Sequence, residues 1–333
     1  MKKILVLFTG GTIGSKISGD IINVENEGQF SLINAYEEQF GKETEFECRQ
    51  ILNILSENIN FSHWETMISE LSKVNTADYS GIIITHGSDT LAYTSALLGM
   101  YFRHIDIPVY IIASNKPIGE KGSNGLFNFA NAVKQIQLGK YNGVFTLYEK
   151  VYLPTRIMPA DTYCDRFTAF GDNGYMDNPE FFGISEQLLL KKREKLFDQD
   201  IKFNHKIMLI HGYPAIDYSA FDLSKKPSAV LFVPYHSGTA CASCEFGENY
   251  SLVEFIKRCI MQNIMVYICG LKKTNAMYDT LHEIIAAGSI PLYNISEVSA
   301  YMKLLIAYNQ QNYTVKEIMN KNLYFETLRN PQI

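Results

Sequence analysis

Phe8-Thr9-Gly10-Gly11-Thr12-Ile13-Gly14 decides the fold of this chain. It ends an apolar run that begins at Ile4, and such a run is typical of a parallel strand buried on both faces. Its two adjacent glycines let the backbone turn sharply and let a ligand approach closely. Hydroxyls then stand at the carboxyl end of the predicted sheet, where open α/β folds bind ligands. The stretch therefore predicts a ligand site, with Thr12 either a nucleophile or a turn residue.

Strand-like and helix-like segments alternate along the chain. Strands are predicted at 4–8, 46–55, 81–85, 108–113 and 144–147, and helices at 30–40, 63–74, 91–102 and 127–138. This order predicts an α/β fold whose large amino-terminal domain is a doubly wound, mostly parallel sheet. The polar, glycine-containing segment 15–28 is predicted to be a loop that serves as a lid.

A second α/β series follows and predicts a smaller carboxyl-terminal domain. We predict an amino-terminal catalytic domain at 1–190, a linker at 191–205 and the carboxyl-terminal α/β domain at 206–333. The many charges in 188–197 favour a solvated linker or a surface helix there.

Composition excludes several classes of partner. The 333 residues are 47% hydrophobic and 20% charged, as in an ordinary globular protein. A net charge of −5 argues against a nucleic-acid partner. No apolar run approaches the roughly 18 residues of a membrane span, and Lys2-Lys3 precedes a run too short for a signal peptide. We therefore predict a cytoplasmic protein with no membrane partner.

No cofactor or metal site is predicted from the known motifs. The glycine stretch is not GxGxxG, and the Walker A pattern is absent. Six scattered cysteines are typical of reduced thiols in a cytosolic chain. Cys241-Ala-Ser-Cys244 has CxxC spacing, but without a second CxxC it does not favour a zinc or redox role.

Three predicted strand exits carry polar side chains, and exits of neighbouring parallel strands meet at one edge of the sheet. These side chains are Thr9 and Thr12; Ser56, Glu57 and Asn58; and His86, Ser88, Asp89 and Thr90. Hydroxyls, carboxylates and backbone amides together suit a small zwitterionic ligand. Taken singly, the hydroxyl residues and Asp89 are also typical helix caps or turn residues, and His86 is typical of a structural histidine.

Several of these stretches resemble the bacterial-type asparaginase family, closer to its cytosolic type I branch than to its periplasmic type II branch. Two stretches resemble its signature sequences, and the others resemble weaker landmarks. The two signatures are Thr9-Gly10-Gly11-Thr12-Ile13 and Ile84-Thr85-His86-Gly87-Ser88-Asp89-Thr90; the landmarks are Ser56-Glu57-Asn58-Ile59 with Trp64, Gly125-Leu126-Phe127-Asn128 with Asn131-Ala132-Val133, Tyr213-Pro214, Tyr235-His236-Ser237-Gly238-Thr239 and Ala287-Gly288.

The resemblance implies hydrolysis of a small amino-acid amide, L-asparagine, to L-aspartate and ammonia without metal or cofactor. It also implies a homodimer or homotetramer. The catalytic residues that it implies are Thr12 as nucleophile with Ser88 and Asp89, and the substrate-binding residues are Gly11, Ser56, Glu57, Gly87, Ser88, Asp89 and Ser114. Backbone amides around Gly87–Ser88 and Ala113–Ser114 are expected to stabilise the oxyanion.

One departure from the family pattern concerns proton removal. Members carry a lysine that assists the second-signature residues, and the matching position here is Pro159 or Asp161, depending on the alignment. No lysine occurs between Lys150 and Lys191. Lys116, on a neighbouring predicted exit loop, is either a substitute for it or a solvated loop charge.

Three functions remain open from the sequence. The first is an L-asparaginase-like amidohydrolase. The second is a catalytically impaired protein of this fold that binds an amino acid as a sensor. The third is an amidohydrolase for a different amide, such as the D subunit of glutamyl-tRNA amidotransferase; that enzyme normally carries an extra amino-terminal domain, whereas this chain begins at the first strand, which we expect to disfavour it.

Overall fold

The structure is a computed structural model that describes residues 2–11, 15–18, 21–24, 28–171, 186–197, 201–273 and 276–328. The chain divides into two compact units. Unit 1 runs to Lys202 and also includes Leu323–Phe325, whereas unit 2 comprises Phe203–Asn322 and the residues from Glu326 onward. Each unit contains its own parallel sheet.

Unit 1 contains eight strands and five helices among its described residues. The strands are β1 (Lys3–Gly10), β2 (Ser15–Ser18), β3 (Ile21–Val24), β4 (Phe46–Ile54), β5 (Tyr79–Thr85), β6 (Pro108–Ile112), β7 (Gly143–Tyr148) and β8 (Lys150–Tyr152). The helices are α1 (Gly28–Phe40), α2 (Phe61–Ser72), α3 (Leu91–Tyr101), α4 (Gly125–Leu138) and α5 (Glu186–Leu190).

The large sheet has the order β4-β1-β5-β6-β7-β8. All neighbouring pairs are parallel except the antiparallel pair β7–β8. After β1 the chain moves outward to β4 and then crosses back to β5, so the winding direction reverses between β1 and β5. A reversal of this kind leaves a crevice at the carboxyl ends of the two strands. The predicted doubly wound, mostly parallel sheet is confirmed.

Burial on both faces explains the continuous apolar strands. From Ile4 to Phe8 every residue of β1 is at most 3% exposed. On one face Ile4, Val6 and Phe8 share a core with α1 and α4. On the other face Trp64 of α2 donates its indole N–H to the Thr94 hydroxyl of α3 at 3.0 Å. A strand covered twice must be apolar at every position, which is the pattern seen in the sequence.

One local prediction in unit 1 is wrong, since the segment predicted as a loop at 15–28 contains an antiparallel hairpin of β2 and β3. In the segment predicted to be a solvated linker or surface helix, the short helix α5 is followed by exposed charged residues, namely Lys191, Lys192, Glu194 and Lys195. Leu196 and Phe197 after these charges are 3% and 1% exposed, and the Phe197 ring stacks on that of Tyr101 of α3 at 5.3 Å. Burial of these two apolar side chains holds the end of an otherwise solvated segment against unit 1.

Unit 2 contains four parallel strands in the order β12-β11-β10-β9. The strands are β9 (Ile207–His211), β10 (Ala229–Val233), β11 (Met265–Leu271) and β12 (Ile290–Tyr293), and the helices are α6 (Leu252–Met261), α7 (Asp279–Ala286), α8 (Glu297–Asn309) and α9 (Val315–Asn320). In α6, residues Leu252, Phe255, Ile256 and Cys259 are all buried. This i, i+3, i+4, i+7 spacing gives one apolar face, which joins the core of the sheet.

A buried ion pair joins α8 of unit 2 to the segment that follows α9. Lys303 of α8 and Glu326 are 2% and 0% exposed, and their charged atoms lie 2.7 Å apart. The ammonium also donates to the carbonyls of Met319, at 3.2 Å, and Lys321, at 2.6 Å. The pair thereby ties the segment after α9 back to α8. In neither unit do the described residues form a helix with both the length and the apolar character that a bilayer crossing requires.

Candidate functional site

The crevice lies where the winding direction reverses between β1 and β5, which we call the switch point. It begins with a glycine turn at the end of β1. Gly10 and Gly11 have φ values of +99° and +77°, which L side chains rarely adopt. The Gly11 N–H donates to the Ile54 carbonyl of β4 at 2.8 Å. A β-carbon on Gly10 would lie 2.5 Å from the Ile54 nitrogen, so no side chain fits there. Both conformation and space therefore require glycine.

We number the strand exits in chain order: the first follows β1, the second follows β4 and the third follows β5. The first and third exits touch through their backbones. A β-carbon on Gly11 would lie 2.5 Å from the nitrogen of Gly87 and 2.7 Å from its Cα. A β-carbon on Gly87 would in turn lie 2.4 Å from the Ser56 hydroxyl oxygen of the second exit. The structure thus brings Gly11, Ser56 and Gly87 together at van der Waals distance, a spacing that only glycines allow.

A hydroxyl–carboxylate hydrogen bond joins the second and third exits. Ser56 donates its hydroxyl proton to Asp89 Oδ2 at 3.0 Å, and Thr90 donates to the Ser56 carbonyl at 3.0 Å. Ser56 is 4% exposed, whereas Asp89 is exposed. A buried hydroxyl therefore orients the carboxylate of an exposed residue. That arrangement suits a cationic group arriving from solution.

The remaining predicted residues have different surroundings. Glu57 is exposed on the 3-10 turn Ser56–Asn58, one residue from the Asp89 contact. Ser88 is partly buried beside Asp89. Thr12, predicted as the nucleophile, lies outside the described residues; Gly11 directly before it is the last described residue of the turn.

His86 and Thr9 hold the backbone of the third exit. His86 is 1% exposed, and its Nδ1 lies 2.7 Å from the Gly87 carbonyl oxygen. Because a carbonyl oxygen only accepts, Nδ1 carries the proton. Burial lowers the pKa of His86 to about 4, so the ring is neutral at pH 7. Thr9 donates to the Thr85 carbonyl at 2.6 Å and is thereby used in structure rather than exposed to a ligand.

Ser114 follows β6, the strand beside β5. It is fully buried, and its hydroxyl donates to the Lys116 carbonyl and lies 3.2 Å from the Ser123 hydroxyl. The side chain thus closes its own loop, and any contact of Ser114 with a ligand would fall to its backbone. The exit of β6 is tied directly to the site, because the His86 N–H donates to the Ile112 carbonyl at 2.8 Å.

The positions considered for a proton-transfer lysine are also placed. Lys116 is exposed, and its ammonium donates to the Lys121 carbonyl of the same loop at 3.4 Å. Pro159 and Asp161 lie in a turn closed by the Asp161 N–H, which donates to the Arg166 carbonyl at 2.9 Å. The exposed Asp161 carboxylate accepts the Tyr163 N–H, and this bond holds the pKa of Asp161 below its usual value.

Sequence reasoning named Asn128 only as part of a landmark. Asn128 is fully buried in the first turns of α4, where its amide donates to the Ala113 carbonyl at 2.8 Å and accepts the Glu149 N–H at 2.8 Å. The signal that could have found it is an asparagine between the apolar residues Phe127 and Phe129 at the start of a helix.

The site therefore combines two exposed carboxylates, two buried or partly buried hydroxyls and closely packed glycine backbone. Carboxylates and hydroxyls of this kind can hold an ammonium group, while backbone N–H groups can hold a carboxylate or a developing oxyanion. Throughout the described part of the chain, His, Cys, Asp and Glu form no group of three that could hold a metal. Cys241 and Cys244 are free, exposed thiols of unit 2.

Comparison with known proteins adds relatives over nearly the whole chain. The D subunit of glutamyl-tRNA(Gln) amidotransferase from Aeropyrum pernix is 22% identical over 343 residues, which cover 97% of this chain and 78% of that protein. The thermostable L-asparaginase from Thermococcus kodakarensis superposes with a TM-score of 0.78 at 23% identity, covering 98% of this chain and 99% of the other. L-asparaginase I from Vibrio cholerae superposes with a TM-score of 0.77 at 22% identity, with the same coverage. These structural likenesses establish a shared fold.

The family described as Asparaginase, N-terminal matches residues 3–177. That match spans the whole of the large sheet, including the Gly11–Gly87 contact and the Ser56–Asp89 hydrogen bond. Since it covers more than half of the 333 residues, this chain belongs to the asparaginase family.

Proposed function

We propose that this protein is an amidohydrolase that converts L-asparagine to L-aspartate and ammonia with Thr12 as nucleophile. The observation that carries the proposal is the Ser56–Asp89 hydrogen bond beside the Gly11–Gly87 contact, at the switch point of an asparaginase-family sheet. Thr12 follows Gly11 directly in the sequence, which is why we propose its hydroxyl as the nucleophile.

Substrate orientation follows from charge. The α-ammonium of asparagine would bind the carboxylate of the exposed Asp89, with the exposed Glu57 as a second acceptor. Ser56 can accept from the ammonium while it donates to Asp89. The α-carboxylate would then bind backbone N–H groups of the second and third exits. This arrangement would leave the side-chain amide directed toward the glycine turn.

The chemical steps proposed are those of covalent catalysis. The Thr12 oxygen attacks the amide carbon, its proton is transferred to the leaving nitrogen, and ammonia departs from an acyl-enzyme. Water then hydrolyses the ester to release aspartate and restore the hydroxyl. Backbone N–H groups near Gly87–Ser88 and Ser114 would stabilise the tetrahedral oxyanion, a contribution that is commonly worth a factor of about 10²–10³ for each donor.

Ammonia release tests the proposal. Purified protein is incubated with L-asparagine, L-glutamine and their D-isomers from neutral to alkaline pH, and Thr12→Ala is the matched control. We expect turnover of L-asparagine that the Thr12→Ala variant loses. Unchanged turnover in that variant would place the nucleophile elsewhere, and turnover of glutamine instead would assign the site to a different amide.

A second candidate function is amino-acid binding without turnover. It is favoured by the absence of lysine from residues 151–190 and by the Lys116 ammonium, which bonds within its own loop. A hydroxyl without a neighbouring base is a weak nucleophile. Calorimetric titration separates the two functions: aspartate or asparagine binding by a protein that releases no ammonia would support a sensor.

We further propose that the protein acts in the cytoplasm and that it assembles as a homodimer or homotetramer. The named relatives include an amidotransferase subunit, so partner subunits are a further proposal rather than a property of this chain. Light scattering of the purified protein measures the oligomeric state directly.

A further inference from the structure

Unit 2 contains a cavity of about 1050 Å³ beside β12, an edge strand of its sheet. Residues of β11, α8 and α9 and of the segment after α9 complete the wall. Ligand pockets commonly enclose about 300–1,000 Å³, so the space is large enough for a small organic molecule. None of the residues that line it belongs to the amidohydrolase site proposed above.

Hydrogen bonds between distant residues hold the wall of this cavity in place. Asn294, directly after β12, has a φ of +58°, and its N–H donates to the Leu271 carbonyl at 2.7 Å. Its own carbonyl accepts the Leu328 N–H at 2.8 Å. The Lys303–Glu326 ion pair fixes α8 to the same carboxyl-terminal segment. The wall is therefore fixed by tertiary bonds and does not depend on one local loop.

Apolar side chains supply much of this wall. Ile290, Leu292 and Tyr293 of β12 are each only partly buried, and Met265 of β11 is 37% exposed. Apolar surface left in contact with water costs about 25 cal/mol per Å². The apolar body of a ligand that covered these side chains would recover that free energy.

The cavity also carries positive charge. Its described lining includes no aspartate and no glutamate. The lysines that line it are Lys273, Lys303, Lys316 and Lys321. By contrast, the whole chain has more acidic than basic residues, 35 against 30. A cationic and largely apolar cavity in an acidic protein is complementary to an anion that has an apolar body.

Two of the four lysines are already engaged. Lys303 pairs with Glu326, and the Lys321 ammonium lies over the Tyr313 ring at 5.4 Å. Lys273 and Lys316 are exposed, and their ammonium groups neither bond nor pair with another described residue. These two charges are therefore available to an incoming anion.

Two tyrosines supply an uncharged donor in the same cavity. The hydroxyl oxygens of Tyr267 and Tyr308 lie 3.2 Å apart, and Tyr267 is 4% exposed. Burial raises the pKa of both phenols, so both keep their protons at pH 7. Since only one proton can lie between the two oxygens, the other has no acceptor among the described residues. A largely buried donor without an acceptor points to a ligand oxygen.

We propose that this cavity binds a monocarboxylic acid with an apolar chain, for which octanoate is the probe. The chain would cover Ile290, Leu292 and Met319, and the carboxylate would accept the free tyrosine proton. Lys316 lies in the first turn of α9, the helix that follows Tyr308 along the chain, and would pair with the carboxylate. The site is independent of the amidohydrolase proposal, because the two share no residue.

Methionine NMR locates the ligand. Met265 and Met319 line the cavity, whereas Met67 and Met100 are buried in unit 1. In protein labelled with ¹³C at the methionine methyl groups, Met265→Leu and Met319→Leu identify the two cavity signals. Octanoate is added in the presence of saturating L-aspartate, which occupies the proposed amide site. We expect it to shift the two cavity signals and to leave those of Met67 and Met100 in place.

Calorimetric titration with octanoate tests the polar contacts. Lys316→Gln should raise Kd about 1.5–5-fold, as loss of one exposed ion pair does. Tyr267→Phe/Tyr308→Phe removes both hydroxyls, so neither is left without a partner, and should raise Kd about 10-fold or more. Lys225→Gln is the matched control, since this exposed lysine of unit 2 does not line the cavity. It should bind octanoate as the wild type does.

Octan-1-ol, the uncharged probe of the same chain length, shows whether charge is recognised. We expect it to bind about fivefold more weakly than octanoate or worse. If octan-1-ol binds as tightly, or if Lys316→Gln and the tyrosine double variant both bind octanoate like the wild type, the anion site is overturned. It is equally overturned if octanoate leaves the Met265 and Met319 signals in place, including the case in which light scattering and these signals show a second copy of the chain covering this face.

Discussion

Gly11→Ala tests whether the contact between the first and third exits is as close as the structure gives it. Two effects add in this variant. The φ of +77° is a conformation that costs a residue with a β-carbon about 1–2 kcal/mol. The new β-carbon would also lie 2.5 Å from the Gly87 nitrogen and 2.8 Å from the His86 carbonyl carbon. Because these are backbone atoms, the overlap is relieved only by moving a strand exit, at about 1–3 kcal/mol.

Gly119→Ala is the matched control. Gly119 has a φ of +95°, but a β-carbon there would meet nothing within 4 Å. The control therefore contains the conformational cost without the overlap. We expect Gly119→Ala to lower the free energy of unfolding by about 1–2 kcal/mol, and Gly11→Ala to lower it by about 2–5 kcal/mol.

Urea unfolding followed by tryptophan fluorescence measures the difference in unfolding free energy between the two variants, and it reports on unit 1, where both glycines lie. Trp64 is the single tryptophan of the chain and is 6% exposed in unit 1. Ammonia release is measured on the same samples. A shift of about 1 Å at a reacting group costs about 10² in rate, so Gly11→Ala should lose at least that much activity. If Gly11→Ala equals Gly119→Ala in both stability and rate, the close contact and the reasoning built on it are wrong.

Three further predictions concern the same packing and charges. Gly87→Ala should lower the free energy of unfolding by about 1–3 kcal/mol, since its β-carbon would lie 2.4 Å from the Ser56 oxygen; a Ser56→Gly background should restore most of the loss in a double-mutant cycle. His86 has a folded pKa of about 4 against an ordinary 6.5, so the unfolded chain takes up its proton first as the pH falls. Stability should therefore decline between pH 6.5 and 4 by about 3 kcal/mol from this group, and His86→Gln should flatten that part of the urea-derived profile. Lys303→Met removes the ammonium that pairs with the buried Glu326 carboxylate, so the free energy of unfolding followed by circular dichroism should fall by about 3–5 kcal/mol, with much of it recovered in Lys303→Met/Glu326→Gln.

The sheet was predictable because its strands are buried on both faces. A short apolar run such as 4–8 is best explained as a buried strand when a helical segment separates it from the next apolar run. Strands that alternate with helices in this way pair in parallel. The hairpin at 15–24 was not predictable in this way. Its two four-residue strands pair with each other and with no other described strand, so neither belongs to the long apolar pattern.

The site was predictable at the level of topology but not of contacts. Neighbouring strand order places Ser56 and Asp89 at one edge, and the signature sequences indicate the residue types. The direction of the Ser56 hydrogen bond and the use of the Ser114 hydroxyl within its own loop depend on loop conformations. Those conformations are determined by contacts between residues far apart in the chain, such as Gly11 with Gly87, which periodicity does not encode.

Binding and activation are physically separable in this site. The Ser56–Asp89 pair is positioned by hydrogen bonds that involve no lysine. By contrast, the proposed attack by Thr12 needs a base that takes up its proton. His86 is neutral at pH 7, but its Nδ1–H is bound to the Gly87 carbonyl and the ring is 1% exposed. The Lys116 ammonium is likewise bound within its loop. Since one missing proton-transfer partner typically lowers the rate by about 10²–10⁴ and leaves ligand contacts unchanged, any deficit in this protein should fall on kcat rather than on the affinity for aspartate.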